Sequence, residues 1–142
     1  MEFVSQKTLC ILKPDALSRD LEDAIAEKLM AAGLQILARK EMLLSYAQAE
    51  AFYAVHKDRA FFEELCTYIS SGPIVVQVLS GVEAVSKYRT LMGATNPDQA
   101  EPGTIRGDFG QSLSLNTVHG SDSLENAEKE IAFFFDPQDF YI

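Results

Sequence analysis

Short unbroken apolar runs along the chain indicate buried strands, and they are separated by segments whose apolar residues have helical spacing. Residues 74–79 are apolar at nearly every position and rich in β-branched side chains, so they should form a central strand. Residues 8–12 predict a second buried strand, and residues 34–44 a longer one with a charged centre. A short apolar pair before His119 predicts the fourth strand.

Helical periodicity predicts five helices between and after these strands. Asp20 is the expected N-cap of the first helix, and Gly33 is its expected left-handed stop. Ser45 and Gln48 have the spacing of a capping box at the start of the second helix. The five helices are expected at about residues 21–32, 45–56, 60–69, 82–92 and 124–135.

The order of these elements is β-α-β-(α-α)-β-α-loop-β-α. A β-α-β-β-α-β core with an inserted helical pair is the ferredoxin-like arrangement, an α+β fold with a four-stranded antiparallel sheet. Residues 93–113 show no periodicity, and we expect a long loop there, of a length that is often functional in a compact domain. We found no internal repeat and expect a single domain over residues 1–142.

Composition and charge restrict the classes of partner. The net charge is -9, which disfavours a nucleic-acid surface, so an acidic chain of this kind would bind phosphates by gathering a few cations in one place. No apolar run approaches the ~18 residues of a membrane span, and the first residues have no signal-peptide pattern. Cys10 and Cys66 lie apart in apolar segments, which favours buried free thiols and a cytoplasmic location over a disulfide.

The candidate chemistry centres on His119, one of only two histidines. Asp122 is a good N-cap and Glu125 follows at capping-box spacing, so His119 should lie in a strand-to-helix turn, where peptide N–H groups can meet an anion. An imidazole in that position is a plausible phosphoryl carrier. The alternative is a loop histidine bonded to backbone. Glu130 should lie about two helical turns in, within reach of His119.

Several cations stand at the ends of predicted elements. Lys13 follows the first strand, Arg89 lies near a helix end, and Arg106 lies in the long loop. A solvated lysine and a helix-dipole arginine are the alternative explanations of the first two. Adjacent Phe61 and Phe62 cannot both face one core, so one of them should face a cleft, a partner or partly solvent.

Common catalytic motifs are missing. The chain has no P-loop, no G-x-G-x-x-G after a strand, no zinc-ligand spacing and no G-x-S-x-G elbow. Phosphoryl transfer, by contrast, requires mainly charge neutralisation and an in-line nucleophile. A neutral imidazole is a suitable nucleophile near pH 7, and Phe61 offers a face on which a base could stack.

The stretch Asn-x-x-His-Gly-Ser-Asp at residues 116–122 resembles the active-site signature of nucleoside diphosphate kinases. Other matching stretches occur in the family's order over nearly the whole chain, and several ordered motifs are more specific than any one of them. These stretches are residues 13–16, 71–73, 93–97 and 103–109.

The resemblance implies an enzyme that moves the γ-phosphoryl group of a nucleoside triphosphate to a nucleoside diphosphate, with broad base tolerance. It implies a ping-pong route through a phosphohistidine at His119, with Asn116 and Lys13 on the ribose 3′ hydroxyl and Phe61 over the base. It also implies a homo-oligomer, either hexamer or tetramer, and Mg²⁺ carried by the nucleotide phosphates without protein metal ligands. The phosphate-holding positions are Lys13, Arg89, Thr95 and Arg106, and the supporting positions around the histidine are Tyr53, Ser121 and Glu130.

Two positions depart from the family's usual pattern. Glu22 and Asp23 stand where an apolar residue and a glycine are usual, which affects the expected subunit contacts more than the chemistry. Leu113 stands where a valine often closes the other side of the base. Two other functional classes remain. The first is a nucleotide-binding regulatory module with little turnover, and the chain argues against it because it retains every matched catalytic position. The second is an RNA-binding member of the fold class, and the net charge argues against it.

Overall fold

A computed structural model describes residues 5–111 and 116–136 of the chain. The contact of Leu113 with a base lies outside these residues. The sequence also predicts that the apolar tail at residues 138–142 packs on its own domain or on a neighbouring subunit, and this segment too lies outside the described residues.

The described strands form one four-stranded sheet in the order β2-β3-β1-β4, and every neighbouring pair is antiparallel. This order confirms the predicted ferredoxin-like fold. Residues 74–79 are all buried and belong to β3, which lies between β2 and β1, so the prediction of a central strand is confirmed. The strands are β1 (Ser5–Leu12), β2 (Gln35–Met42), β3 (Ile74–Val82) and β4 (Val118–Gly120).

Five of the helices correspond to the periodic segments of the sequence, and two short ones do not. The short helix α1, which the periodicity did not predict, directly follows β1 and begins at Pro14, because proline fits the first turn of a helix. The segment predicted as a structureless loop contains a 3₁₀ turn at Pro97–Gln99 and the short helix α6, which five residues were too few to reveal by periodicity. The helices are α1 (Pro14–Ser18), α2 (Glu22–Ala31), α3 (Tyr46–Phe52), α4 (Phe62–Ile69), α5 (Ala84–Met92), α6 (Ile105–Phe109) and α7 (Leu124–Phe134), with a further 3₁₀ turn at Ala54–His56.

Two of the four predicted helix-end signals are confirmed. Ser45 and Gln48 form the predicted capping box, and Gly33 ends the α2 region with a φ of 86°. The prediction that Asp20 caps α2 is wrong, because Asp20 takes a φ of 56° in the preceding turn and its side chain makes no cap bond.

The cap of α7 is also one residue later than predicted. The Oγ of Ser123, and not the carboxylate of Asp122, accepts the hydrogen bond from the Asn126 backbone N–H. Asp122 instead accepts a bond from the Asn126 side chain, which holds the pKa of its carboxyl below the usual value.

Helices cover both faces of the sheet, so β1 and β3 are buried on both sides. Alternate residues of β1 enter the two cores: Leu9 and Ile11 pack with α3, α4 and α7, while Cys10 and Leu12 pack with α2, α5 and α6. Cys10 and Cys66 are both buried and free, as predicted, and they lie in different cores. No helix in the described ranges is long and apolar enough to cross a membrane.

Glu22, one of the two residues that depart from the usual pattern, stands at the first position of α2. Its carboxylate forms an ion pair with Arg39 on β2, and both side chains remain more than one-third exposed. The pair therefore ties α2 to the edge strand of the sheet at its surface.

Candidate active site

His119 lies within β4, opposite Ile11 of β1. It is therefore part of the sheet, and the prediction of a strand-to-helix turn is wrong. The capping signature was displaced by one residue, and α7 begins only at Leu124, so two turn residues separate β4 from the cap at Ser123. Pairing with the last residues of β1 brings the histidine close to Lys13, which follows that strand.

The imidazole of His119 is held by a carboxylate on α7, as the spacing to Glu130 predicted. His119 Nε2 lies 2.9 Å from Glu130 Oε1, and Ser121 Oγ donates to the same oxygen at 2.9 Å. Because a carboxylate can only accept, the bond assigns the ring proton to Nε2 and leaves Nδ1 as the nitrogen with a lone pair. The side chain is 20% exposed, so the ring can meet a ligand.

Two aromatic residues of the α3 region pack edge-on against the imidazole. The ring centroids of Phe52 and Tyr53 lie 5.3 and 6.4 Å from that of His119. Tyr53 is buried, and burial raises the pKa of its hydroxyl, so the tyrosine stays neutral beside the ring. Sequence reasoning missed Phe52 as a neighbour of the histidine, and its position beside Tyr53 was the available signal.

The backbone of His119 is fixed by Tyr88, which sequence reasoning also missed. The buried hydroxyl of Tyr88 lies 3.0 Å from the carbonyl oxygen of His119 and 3.0 Å from Cys10 Sγ. Gly120 follows the histidine because a Cβ there would come within 2.6 Å of both the Tyr88 ring and the Met92 side chain. Close packing of α5 therefore requires the glycine of the His-Gly pair.

Lys13 and Asn116 form a buried pair next to this strand. Lys13 Nζ donates to Asn116 Oδ1 at 2.8 Å, and the Asn116 amide donates to the carbonyl of Thr95 at 3.1 Å. Lys13 is only 5% exposed, so a solvated surface lysine is excluded. Burial, together with the nearby positive charge of Arg106, lowers the pKa of the Lys13 ammonium to about 8, and the charge of Asp15 opposes this shift.

Arg106 is the second buried cation of the site. Its guanidinium donates to the carbonyls of Gly93 (3.2 Å) and Val118 (2.9 Å), while its Nε is buried without a hydrogen-bond partner among the described residues. Burial lowers its pKa, and the positive charge of Arg89 on α5 acts in the same direction. Arg106 thus lowers the pKa of Lys13, and Arg89 lowers the pKa of Arg106, so the positive charges of this cluster produce a potential suited to an anion.

The remaining candidate residues lie at the margin of this cluster. Thr95 is exposed and joins it through its carbonyl bond to Asn116. Phe61 is 45% exposed, and its ring contacts His56, whose ring lies near Tyr53. Phe62 instead packs against the core, so the prediction that only one of the two phenylalanines faces the core is confirmed.

The geometry thus connects His119, Lys13, Arg106, Thr95 and Asn116 through direct hydrogen bonds or strand pairing. The positive charge of Arg89 acts on this group by lowering the pKa of Arg106. Phe61 lies outside the group, and its ring contacts His56. A histidine with one free ring nitrogen, beside buried cations, is an arrangement that can accept a phosphoryl group.

Comparisons with known proteins identify the family of the chain. The family model described as nucleoside diphosphate kinase matches residues 6–140. A nucleoside diphosphate kinase of Maricaulis maris (strain MCS10) is 58% identical over 130 residues, which is 92% of this chain and 93% of that protein. One from Wolbachia sp. subsp. Drosophila simulans (strain wRi) is 60% identical over 130 residues, covering 92% and 94%.

Solved structures of the same family superpose closely. The Aquifex aeolicus nucleoside diphosphate kinase matches with a TM-score of 0.93 at 36% identity, over 96% of this chain and 99% of that chain. A halophilic nucleoside diphosphate kinase of Halobacterium salinarum, in complex with CDP, matches with a TM-score of 0.93 at 39% identity, over 98% and 93%. Sequence, fold and site agree, and this chain belongs to the nucleoside diphosphate kinase family of phosphotransferases.

Proposed function

We propose that the chain transfers the γ-phosphoryl group of a nucleoside triphosphate, typically ATP, to a nucleoside diphosphate through a phosphohistidine at His119. The observation that carries this proposal is the 2.9 Å bond between His119 Nε2 and Glu130, which leaves Nδ1 free to attack. In the first half-reaction Nδ1 forms a bond to the γ-phosphorus. The bond between that phosphorus and the β–γ bridging oxygen breaks, which releases the diphosphate. In the second, a β-phosphate oxygen of the acceptor attacks the same phosphorus and frees Nδ1.

The cations would hold the phosphates during both half-reactions. Lys13 and Arg106 are buried and already oriented by hydrogen bonds, so their charges need little reorganisation when a polyphosphate enters. We assign Arg89 and Thr95 to the outer phosphate contacts, since both are exposed at the margin of the same cluster. Asn116, held by Lys13, is assigned to the ribose 3′ hydroxyl.

Phe61 is assigned to the base. Its half-exposed ring offers a flat face, and stacking on such a face makes few base-specific hydrogen bonds. Broad base tolerance follows from this assignment, and so does a role in maintaining the pools of several nucleoside triphosphates. Tyr53, Ser121 and Glu130 are assigned to positioning the imidazole, on the contacts described above.

Mg²⁺ is proposed to arrive with the nucleotide. The charged groups of the site are mainly cationic, so they fit phosphate oxygens and repel an uncoordinated metal ion. In the described part of the chain, no group of three or more His, Cys, Asp or Glu side chains could hold a metal. The ion, coordinated by phosphate oxygens, would neutralise charge on the polyphosphate.

Steady-state kinetics with ATP and dGDP test the proposed reaction. We expect dGTP to form, with parallel lines in double-reciprocal plots, because the first product leaves before the second substrate binds. Tight nucleotide binding without dGTP formation would instead support a regulatory module. Intersecting lines would contradict the phosphohistidine route.

We further propose a single domain over residues 1–142, a homo-oligomer and a cytoplasmic location. The family match over residues 6–140 supports the single domain. Leu37 on edge strand β2 and Met30 on α2 are 41% and 65% exposed, which supports a covered surface in an assembly. The two free thiols support a reducing compartment. Sedimentation of the purified protein distinguishes hexamer, tetramer and monomer.

A further inference from the structure

The three residues before His119 form a strained turn. The Val118 N–H donates to the carbonyl of Asn116, two residues earlier, at 2.9 Å, and the central residue Thr117 has a φ of 78°. This bond with a positive central φ is typical of the rare, strained form of the γ-turn. A β-branched residue disfavours positive φ, and such a conformation persists only where the surrounding structure holds it.

Two hydrogen bonds hold Thr117 from the side of α1. Its carbonyl accepts from the Lys13 backbone N–H at 2.9 Å, and its Oγ1 donates to Asp15 Oδ2 at 2.9 Å. Thr117 is fully buried and Asp15 is 6% exposed, so water competes little for these bonds. Asp15 belongs to the Lys-Pro-Asp-Ala stretch, whose aspartate the proposed reaction leaves without a role.

The second oxygen of the same carboxylate is also occupied. Tyr68 on α4 donates its hydroxyl to Asp15 Oδ1, and the Asp15 backbone N–H donates to the Tyr68 oxygen at 2.9 Å. The guanidinium of Arg19 lies 4.0 Å from Oδ2. Contacts from α1 and α4 therefore fix the Asp15 carboxylate. Through its hydrogen bond with Thr117, the carboxylate holds the turn between Asn116 and His119.

We propose that Asp15 is a positioning residue of the nucleotide site: its carboxylate, through Thr117, holds the turn at residues 116–118 so that Asn116 stays on Lys13. This inference rests on the proposed assignment of Lys13 and Asn116 to the ribose 3′ hydroxyl. The negative charge of Asp15 also favours the charged form of Lys13, against burial and against Arg106. A carboxylate that only stabilised the fold would have no preference between nucleotides that differ at the 3′ position.

The test compares phosphoenzyme formation from ATP and from 3′-deoxy-ATP, under limiting nucleotide at about pH 6.5, where Lys13 is charged. The variants are Asp15→Asn and Thr117→Val, with Thr117→Ser as the conservative rescue. Asp20→Asn is the matched control for the acid, because Asp20 is exposed at a positive φ that asparagine tolerates. Thr8→Val is the matched control for the threonine, because the buried Thr8 hydroxyl has no hydrogen-bond partner.

We expect Asp15→Asn and Thr117→Val to slow the reaction with ATP about tenfold or more, since a buried hydrogen bond to a charged group is lost. With 3′-deoxy-ATP the rate of the same variants should fall less than about threefold, because this nucleotide lacks the 3′ hydroxyl that Asn116 and Lys13 are proposed to contact. Thr117→Ser and both controls should follow the wild type with each nucleotide.

Equal losses with both nucleotides, or unchanged rates with both, would overturn the inference while leaving the proposed function intact. A wild-type protein that forms no phosphoenzyme would instead overturn the proposed function, and the inference with it. If either variant fails to give a cooperative thermal unfolding transition, Tyr68→Phe replaces it, since it removes the other bond to the Asp15 carboxylate. The same nucleotide preference is expected of Tyr68→Phe, and equal losses there would overturn the inference as well.

Discussion

The centre of the sheet and its β1–β4 edge both contain buried residues but differ in composition. Residues 74–79 of β3 are buried and, apart from Gln77, apolar, and such burial stabilises at about 25 cal/mol per Å². At the β1–β4 edge, Lys13 and Arg106 are buried charges, and Thr117 has a backbone conformation that costs about 1–3 kcal/mol. The apolar centre therefore stabilises the fold, while the charges and strain of the edge are the features that we assign to ligand binding.

The largest expected effect is a loss of activity at the β1–β4 edge without a matching loss of stability. Lys13→Met should lower kcat about 10²–10³-fold, because it removes a preorganised charge from the phosphate site. At about pH 7 it should leave the free energy of unfolding within about 1 kcal/mol of wild type, because relief of ammonium burial offsets the unpaired Asn116 oxygen. Steady-state kinetics and urea unfolding measure the two quantities, and a loss of stability above about 3 kcal/mol would contradict the comparison.

The opposite result is expected at the centre. Ile74→Ala, at a fully buried position of β3, should lower the free energy of unfolding by about 2–4 kcal/mol, because it leaves a cavity in a packed core. Below the unfolding transition its kcat should remain within about twofold of wild type, since an apolar side chain supplies neither a charge nor a hydrogen bond to the candidate site. A kcat that fell as far as in Lys13→Met would show that the two regions are not separable.

The pH dependence of stability gives a smaller signal from the same lysine. Its pKa is about 8 in the folded chain and 10.5 ordinarily, so between these values the unfolded chain binds more protons. Wild-type stability should therefore rise with pH through this window, by up to roughly 3 kcal/mol relative to Lys13→Met. Urea unfolding of both proteins at pH 7.5 and 10.5 measures this difference, and a constant difference would contradict the burial of a charged Lys13.

The smallest expected effect is a shift in the pH profile of catalysis. The kcat/KM of the wild type should fall as pH rises past about 8, where the free enzyme loses the Lys13 charge. In Asp15→Asn this alkaline limb should move to lower pH, because the aspartate charge that raises the Lys13 pKa is gone. An unmoved limb, with Asp20→Asn as the control, would contradict an effect of the Asp15 charge on Lys13.

The fold was predictable from the sequence because its main elements are long and regular. The apolar run of β3, the periodicity of α2 and α7 and the capping box at Ser45 each express a local rule. The short helices α1 and α6 were not predictable, since five residues carry no period. The cap predicted at Asp122 failed because the neighbouring Ser123 takes that position, and the cap predicted at Asp20 failed because Asp20 has a positive φ in the turn before α2.

The site was predictable only as a set of residue types. Local sequence and resemblance pointed to His119, Lys13 and Arg106, and spacing pointed to Glu130. The sequence did not reveal that Lys13 is buried, nor that Tyr88 bonds to the His119 carbonyl and Asp15 to the Thr117 hydroxyl. These contacts join residues 31 to 103 positions apart, and no local pattern encodes such pairings.

The most direct test of the account is to map the phosphoryl group after incubation with γ-labelled ATP. We expect an acid-labile, alkali-stable label on Nδ1 of His119, retained in His56→Gln and absent from His119→Gln, with two-dimensional NMR of the ring identifying the nitrogen. These variants cover both histidines of the chain. Full labelling of His119→Gln, or a label on Nε2 in the wild type, would contradict the account.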